Sequence, residues 1–404
     1  MSQYDIYYGE YTLDAWIKMI LYREIELPPY QRDFVWSEEK VVQLLNSLKK
    51  GDFVPPITVG TYIDDKGVPH HYVLDGQQRL SAILLGKLGI FPQGKKFFET
   101  GRILANNNDD ESDDDSEEIG YNNVRAWKFS FIHFGEKGVI NAKQDNENYK
   151  KLENIENLEL TDDFWKDNCI GFSYIKPGVE LSGEKQKRYF STLFRNINTT
   201  AVSLSDMESR ASLYWLDENW KNFFQPQGML SSIEIKNGFL DFARIAAVLA
   251  QYKKEGSSKG LAQGYSRRSR YSTGKDFETY IEDFIYETVG EKESKIFKNL
   301  NELYPKKGED FLPLLKKTDD YYKSIGFPEK YDSIIYSDLV LFGLVYFILF
   351  ERKELDLNKK NQLLLDVKKE FSDSTEAHKK SPAALSWLRK RVDQSLKLYE
   401  KYVK

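Results

Sequence analysis

Cysteine is nearly absent: Cys169 is the single one in 404 residues. That excludes an internal disulfide, fits a reducing compartment, and rules out a cysteine-rich zinc site. Only four histidines occur, His70, His71, His133 and His378. No Ser-His-Asp or Cys-His nucleophile set is readable, and no Walker-type glycine loop precedes a Lys-Ser or Lys-Thr pair. Long apolar runs are also missing. The longest, "LVLFGLVYFILF" at 339–350, has twelve residues, whereas a helix crossing a bilayer needs roughly 20. It predicts a central helix buried on most sides, and no membrane partner is expected. The opening "MSQYDIYYGEYTLDAW" lacks a basic region followed by an apolar one, so no signal peptide and a cytoplasmic location are expected.

What is present is a chain of two- or three-domain length, with 41% hydrophobic and 14% aromatic residues, enough for sizeable cores. The formal charge of −5 is unevenly spread. "DDESDDDSEE", 109–118, holds eight acidic residues, and setting them aside turns −5 into +3. So dense a run of one sign cannot pack and predicts a solvated, disordered loop at about 106–119.

Periodicity predicts an α+β fold: a small mixed sheet with helices at the N-terminus, then a mainly helical C-terminal half. "TLDAWIKMILYR", 12–23, reads as a helix capped by Thr12, with Leu13, Trp16, Ile17, Ile20 and Leu21 on one face. Ser37 caps a second helix with Glu38 and Glu39 in its first turn, a stripe of Val41, Leu44, Leu45 and Leu48, and Gly51 at its end. Residues 55–64 and 70–75 are strand-like, as are "KFFETGRILA" and "VRAWKFSFIHF". Two helical pieces are expected within 184–216, and later helices near 232–252, 275–290, 331–353, 357–372 and 381–403, the last capped by Ser381 with Pro382 behind it. The expected domains are 10–215 and 216–404.

Between the second strand and the next helix lies "VLDGQQRLSAI". A strand-to-helix turn leaves the first helical N–H groups unpaired, and the dipole there favours an anion, phosphate above all. Gly76 permits close approach of backbone and ligand. Arg79 lies in the first turn and can grip phosphate oxygens. Gln77 and Gln78 offer donors and acceptors for a base, a ribose or an attacking water. Asp75 either holds Arg79 or holds a metal ion bridging phosphates. An ordinary turn with an Asp–Arg pair explains the same five residues equally well.

Three stretches together carry a resemblance. They are "LPPYQRDFVW" at 27–36, "VLDGQQRLSAI" and "LFRNINTTAVSLSDMESRASL" at 193–213. In order and separation they resemble the family called domain of unknown function 262, the GmrS-like domain of GmrSD-type modification-dependent restriction enzymes, over roughly residues 10–215. The resemblance implies a ParB/sulfiredoxin-like fold in which Gly76-Gln77-Gln78-Arg79 binds nucleotide phosphates. It implies binding and hydrolysis of ATP or GTP with Mg²⁺, coupled to recognition or cutting of foreign, often modified, DNA in antiphage defence. Some members carry a C-terminal HNH nuclease. Here "EAHKKSPAA" has the wrong spacing and no second histidine follows, so that nuclease is not expected and a separate nuclease subunit becomes a candidate partner.

On this reading Asp75, Gln77, Gln78 and Arg79 are the catalytic candidates, with Asp75 the metal ligand. Gly76, Arg79, Arg32, Asn198 and Thr199 are expected to hold the nucleotide. Tyr30, Gln31 and Arg32, stiffened by the prolines before them, are expected to touch DNA, Tyr30 by stacking, Gln31 at a base edge and Arg32 at phosphate; alternatively Arg32 pairs with Asp75 and the segment only packs. Phe34 and Trp36 read as core. Ser205 reads as a helix cap with Glu208 its partner, and Arg210 reaches either the phosphate site or Glu208. The stretch 252–275 carries Lys253, Lys254, Lys259, Arg267, Arg268, Arg270 and Lys275 against Glu255, a local excess of six, with Tyr265 and Tyr271 interleaved. It reads as a mobile loop tracking a phosphate backbone through Arg267, Arg268 and Arg270, or as a solvated loop. The basic residues of the last helix, Arg389, Lys390, Arg391, Lys397 and Lys401, read as a solvated face. The rivals to an NTPase, expected as a homo-oligomer, are a DNA- or nucleotide-binding module without turnover and a nicking nuclease centred on the same turn.

Overall fold

The computed structural model describes residues 4–64, 66–93, 127–132, 135–177, 183–198, 206–236, 238–266, 275–297, 308–378 and 384–404. Among these the chain divides into two compact units, 4–198 and 206–404, each with its own apolar core.

The first unit is built on a four-stranded sheet of β1 (Tyr4–Thr12), β2 (Ile57–Ile63), β3 (Pro69–Asp75) and a late strand, Cys169–Pro177, in the order β1, late strand, β2, β3. Among the described residues two short strands, β4 (Ile90–Pro92) and β5 (Tyr149–Lys151), pair separately, so the late strand is β6. β1 runs antiparallel to β6 from Tyr4 opposite Pro177 to Thr12 opposite Cys169. β2 lies parallel to β6 and antiparallel to β3. The β2–β3 register shifts between Thr58 and Val59, beside the end of β3. Glu26 extends the sheet by one residue past β3, its N–H bonding His71 O at 2.8 Å and its carbonyl accepting from Val73 N at 2.9 Å.

Helices cover this sheet as their caps and stripes dictate. α1 (Leu13–Leu21) begins where Thr12 Oγ1 accepts the Ala15 N–H at 3.1 Å, and buries Leu13, Trp16, Ile17 and Ile20, each contributing about 2 kcal/mol. α2 (Glu38–Lys50) starts at Ser37 and stops at Gly51 in the left-handed conformation, burying Val41, Leu45 and Leu48. Leu44, expected in that stripe, is only half-buried. α3 (Gln77–Leu88) is buried along almost its whole length. α4 (Gly135–Gln144), α5 (Asp162–Asp167) and α6 (Gly183–Asn198) complete the unit. The strand expected over "VRAWKFSFIHF" is corrected: within its described part Phe129–Phe131 form a 3-10 turn, with Trp127, Phe129 and Ile132 buried. "KFFETGRILA" and the acidic run lie outside the described residues.

The second unit is helical. Among the described residues its α-helices are α7 (Asp206–Tyr214), α8 (Glu218–Phe224), α9 (Phe242–Glu255), α10 (Phe277–Thr288), α11 (Leu312–Ile325), α12 (Ile334–Val345), α13 (Lys360–His378) and α14 (Leu385–Tyr399), joined by short strands and 3-10 turns. The apolar run at 339–350 is indeed a buried helix, α12, closed by a π turn at Tyr346–Phe350. The helix expected from 232 begins only at Phe242, because Glu234–Ile235 pairs as a strand with Gly238–Phe239 and with Lys330–Tyr331. Two expectations for charged residues are corrected here. Arg391 is not on a solvated face: it is fully buried, and with Arg244 it holds the buried Asp338, at 2.9 and 2.7 Å. Arg210 reaches neither a phosphate site nor Glu208. It is buried in a fork with Asp241 at 3.1 and 2.6 Å and an ion pair with Glu278. Ser205, Ser381 and Pro382 lie outside the described residues.

Candidate functional site: a polar cavity at the strand–helix turn

β3 ends at Asp75, and the chain turns through Gly76 directly into α3. Gly76 has φ +93°, and a Cβ there would stand 2.4 Å from Ile57 Cδ1 and 3.1 Å from Arg79 Nη2. Both the backbone conformation and the space demand glycine. Arg79, one turn into α3, closes the corner. Its Nη2 bonds Asp75 Oδ2 at 2.6 Å and Pro56 O at 3.4 Å, and its Nη1 bonds Pro55 O at 3.0 Å. The fork therefore ties the loop before β2 to the turn, and its charge is balanced by Asp75. Arg32 pairing with Asp75 is not the arrangement: Arg79 is the partner.

The two glutamines form a fixed chain of hydrogen bonds. Gln78 Oε1 accepts the Val35 N–H at 2.9 Å, and its Nε2 donates to Asp33 O at 3.0 Å and to Gln77 Oε1 at 3.0 Å. A backbone N–H can only donate and a carbonyl can only accept, so both amide orientations follow. Gln78 Nε2 has spent its two protons. Gln77, 3% exposed, is left with a buried Nε2 that has no hydrogen-bond partner. An unsatisfied buried donor costs about 1–3 kcal/mol, so it marks a place where a ligand or ordered water belongs.

Gln77 is among the residues that line a cavity of about 700 Å³, a volume typical of small-molecule sites. Gly76, Gln77, Gln78 and Arg79 line it, as do Gln31, Arg32 and Trp36. α2 supplies a wall of Lys40, Gln43, Leu44 and Ser47, the spacing of one helical face. Phe53, Val54 and Pro55 come from the loop after α2, and Ile197 from the end of α6. Arg79 is balanced by Asp75, and among the described residues of the lining Arg32 and Lys40 are the other charged side chains.

The structure thus brings Asp75, Gly76, Gln77, Gln78, Arg79, Gln31 and Arg32 to one cavity. Tyr30 is corrected: it is 6% exposed, does not line the cavity, and packs edge-on against Phe194 at 4.8 Å, so it offers no stacking face. Burial pushes its phenol well above the ordinary range. Gln31 is buried, with Nε2 on Val73 O at 3.2 Å, so it faces the cavity rather than an outer DNA-reading surface. Phe34 is core as expected, whereas Trp36 is only half-buried. Asn198 is the last residue of α6, next to Ile197; its side chain and Thr199 lie outside the described residues. So do Arg267, Arg268, Arg270 and Tyr271. Of the other basic residues in that stretch, Lys253 pairs with Glu351 and Lys254 bonds Ile296 O, both from the last turn of α9. Tyr265 bonds Asp283 at 2.8 Å and meets Tyr280 edge-on. No cluster of three His, Cys, Asp or Glu that could hold a metal occurs among the described residues.

The α2 wall and Phe53 were not anticipated from the sequence. Their signal was there, in the polar 40/43/47 spacing beside the apolar stripe, and in a phenylalanine set between Gly51-Asp52 and Pro55-Pro56.

Residues 15–215 match the model of the GmrSD restriction endonuclease N-terminal domain. This part of the chain is a GmrSD-type domain. No curated protein and no solved structure matches the chain. The GmrSD-type domain implies a role in a restriction system and, with it, interaction with DNA. Its matched span covers the whole cavity and reaches α7 of the second unit. Among the described residues no helix is long and apolar enough to cross a membrane.

Proposed function

We propose that the GmrSD-type domain binds a nucleoside triphosphate, ATP or GTP, at the turn after β3 and hydrolyses it to govern DNA recognition in restriction of foreign DNA. The observation that carries this is Gln77, whose buried Nε2 has no partner, lining one cavity with Arg32, Lys40 and Arg79 at the start of α3. A polyphosphate supplies the oxygen acceptors that such a corner lacks. Gln77 is the donor to those oxygens, and Gln78 positions it. Arg32 and Lys40 carry the positive field. Arg79 holds the corner's shape through Asp75, Pro55 and Pro56. Asp75 offers the one carboxylate of the lining, which suits a Mg²⁺ ion held chiefly by phosphate and water; bound there, the ion would polarise the terminal phosphate. DNA would be contacted outside this cavity, by Arg267, Arg268 and Arg270, and cutting would fall to a separate nuclease subunit.

One observation favours the reading without turnover. Both glutamine carbonyl oxygens already accept a hydrogen bond, while a donor remains open. The turn is better equipped to hold an anion than to orient water. Melting-point shifts with ATP and GTP plus Mg²⁺, followed by phosphate release with and without DNA, separate the readings. A ligand bound only by the folded state raises the melting point. A shift with phosphate release, both lost in Gln77→Leu, supports hydrolysis. A shift without release supports the binding module. No shift with any nucleotide refutes both.

A further inference from the structure

Phe53 is 86% exposed, more than any other large hydrophobic side chain among the described residues. It stands on the rim of the same cavity, in a loop that is held at both ends. Asp52 N bonds Ser47 O at 2.9 Å on one side, and Arg79 holds the carbonyls of Pro55 and Pro56 on the other. Two prolines stiffen what lies between. A lone aromatic ring left in water on a mobile loop would need no explanation. A ring presented from a pinned, proline-stiffened loop is already ordered for a planar partner, so little is lost when one arrives.

We infer that Phe53 is the platform on which the nucleobase stacks. The inference rests on the nucleotide reading of the cavity and assigns its base-binding end. The cavity's lining is mixed. It includes the polar residues Gln77, Gln78 and Arg79, and also Phe53 with its chain neighbour Val54, and Leu44, Gln43 and Ser47 on one face of α2. A flat, apolar body with a polar rim fits such a lining: ring face against ring face on Phe53, with the Gln43 amide and Ser47 hydroxyl available to the base edge. Stacking accepts any base, because every base has a π face. Selection among bases would then fall to Gln43, which lies exposed and can turn to present either a donor or an acceptor.

The test compares binding of ATP, GTP and inorganic tripolyphosphate, each with Mg²⁺, to the full chain and to Phe53→Ala and Phe53→Trp. Removal of an exposed ring leaves the fold intact, and a melting curve without ligand checks this. Phe53→Ala should weaken ATP and GTP about tenfold or more and leave tripolyphosphate unchanged. Phe53→Trp should hold nucleotide affinity at or above the parent value. If Phe53→Ala binds nucleotides as the parent does, or loses tripolyphosphate equally, the platform is refuted while the phosphate seat stands. If the parent chain binds neither tripolyphosphate nor nucleotide, the phosphate seat itself fails and the platform with it.

Discussion

Replacing Gly76 by alanine should injure the first unit by two separable routes. At φ +93° an L-residue carries left-handed strain of about 1 kcal/mol. The new methyl also meets Ile57 Cδ1 at 2.4 Å, in a core where Ile57 is fully buried, and overpacking of that kind costs about 1–3 kcal/mol. The expected total is about 2–4 kcal/mol. Gly89, at the other end of the same helix, isolates the first route. Its φ is +68°, yet nothing stands within 4 Å of an added Cβ, so Gly89→Ala should cost only about 1 kcal/mol. Ile57→Val isolates the second. Alone it loses about 1 kcal/mol as a buried methyl deletion, but combined with Gly76→Ala it removes the atom in collision. The double variant should therefore be less destabilised than the sum of the singles by about 1–2 kcal/mol. The amides of Leu80 to Leu85 in α3 report this by native-state hydrogen exchange, without interference from unfolding of the second unit. Equal losses at Gly76 and Gly89, or additivity with Ile57→Val, would refute the crowding argument and leave φ alone as the reason for glycine.

Further outcomes follow from the buried charges and the site. Asp338→Ala leaves Arg244 and Arg391 buried without their shared carboxylate and should cost about 3–5 kcal/mol, whereas Lys253→Ala, on a partly exposed pair, should cost under about 1 kcal/mol; urea unfolding of each variant decides. Burial pushes the Asp338 carboxyl up, but Arg244 and Arg391 together hold it below the usual carboxylate range. Its contribution is thus full above an unfolded pKa of about 3.9 and is lost as pH falls through the lower folded value. Acid titration of tyrosine and tryptophan fluorescence should show that loss, and Asp338→Asn should remove it. Gln78→Leu should weaken nucleotide binding as strongly as Gln77→Leu, because it frees the Gln77 amide to turn; isothermal titration of both tests this. Tyr30→Phe should leave DNA affinity within about twofold, since the ring is buried. Replacing Arg267, Arg268 and Arg270 together by alanine should flatten the salt dependence of DNA binding by about 2–3 in slope, and an unchanged slope removes that stretch from the interface.

The elements legible in the sequence were those whose signals are local. Thr12 and Ser37 cap the helices they announce, Gly51 ends the second, and the apolar run at 339–350 is a buried helix. β1 and β6 were not read. Their nine-residue pairing joins Tyr4 to Pro177, and β1 leaves Tyr7 and Tyr8 exposed instead of alternating, so no periodicity marks it. α11, with "KKTDDYY" across its middle, hid its buried stripe of Leu315, Tyr322 and Ile325 among charges. Arg210 and Arg391 show the same limit from the other side. A charged residue is assigned to the surface, as Arg391 was, or to a near neighbour or the site, as Arg210 was, until its partner is known, and Asp241 and Asp338 lie 31 and 53 positions away.

For the site, residue type located the turn but could not assign the tasks within it. Arg79 looked like the phosphate grip because an arginine at a helix start commonly is one. Its two proline carbonyl partners lie 24 and 23 residues earlier, in a loop with no recognisable motif, and they make it a clamp on shape. The glutamines were interchangeable on paper. What separates them is one backbone N–H, at Val35, which fixes the Gln78 amide and through it leaves the Gln77 donor open. Chemical identity was legible because it is local, whereas division of labour was not, because it is set by hydrogen bonds that only tertiary structure supplies. A site with one unpartnered donor, two basic side chains in its lining and a presented ring is therefore a sharper claim than the motif alone could carry, since each of the three can be removed separately and each should fail on a different part of the ligand.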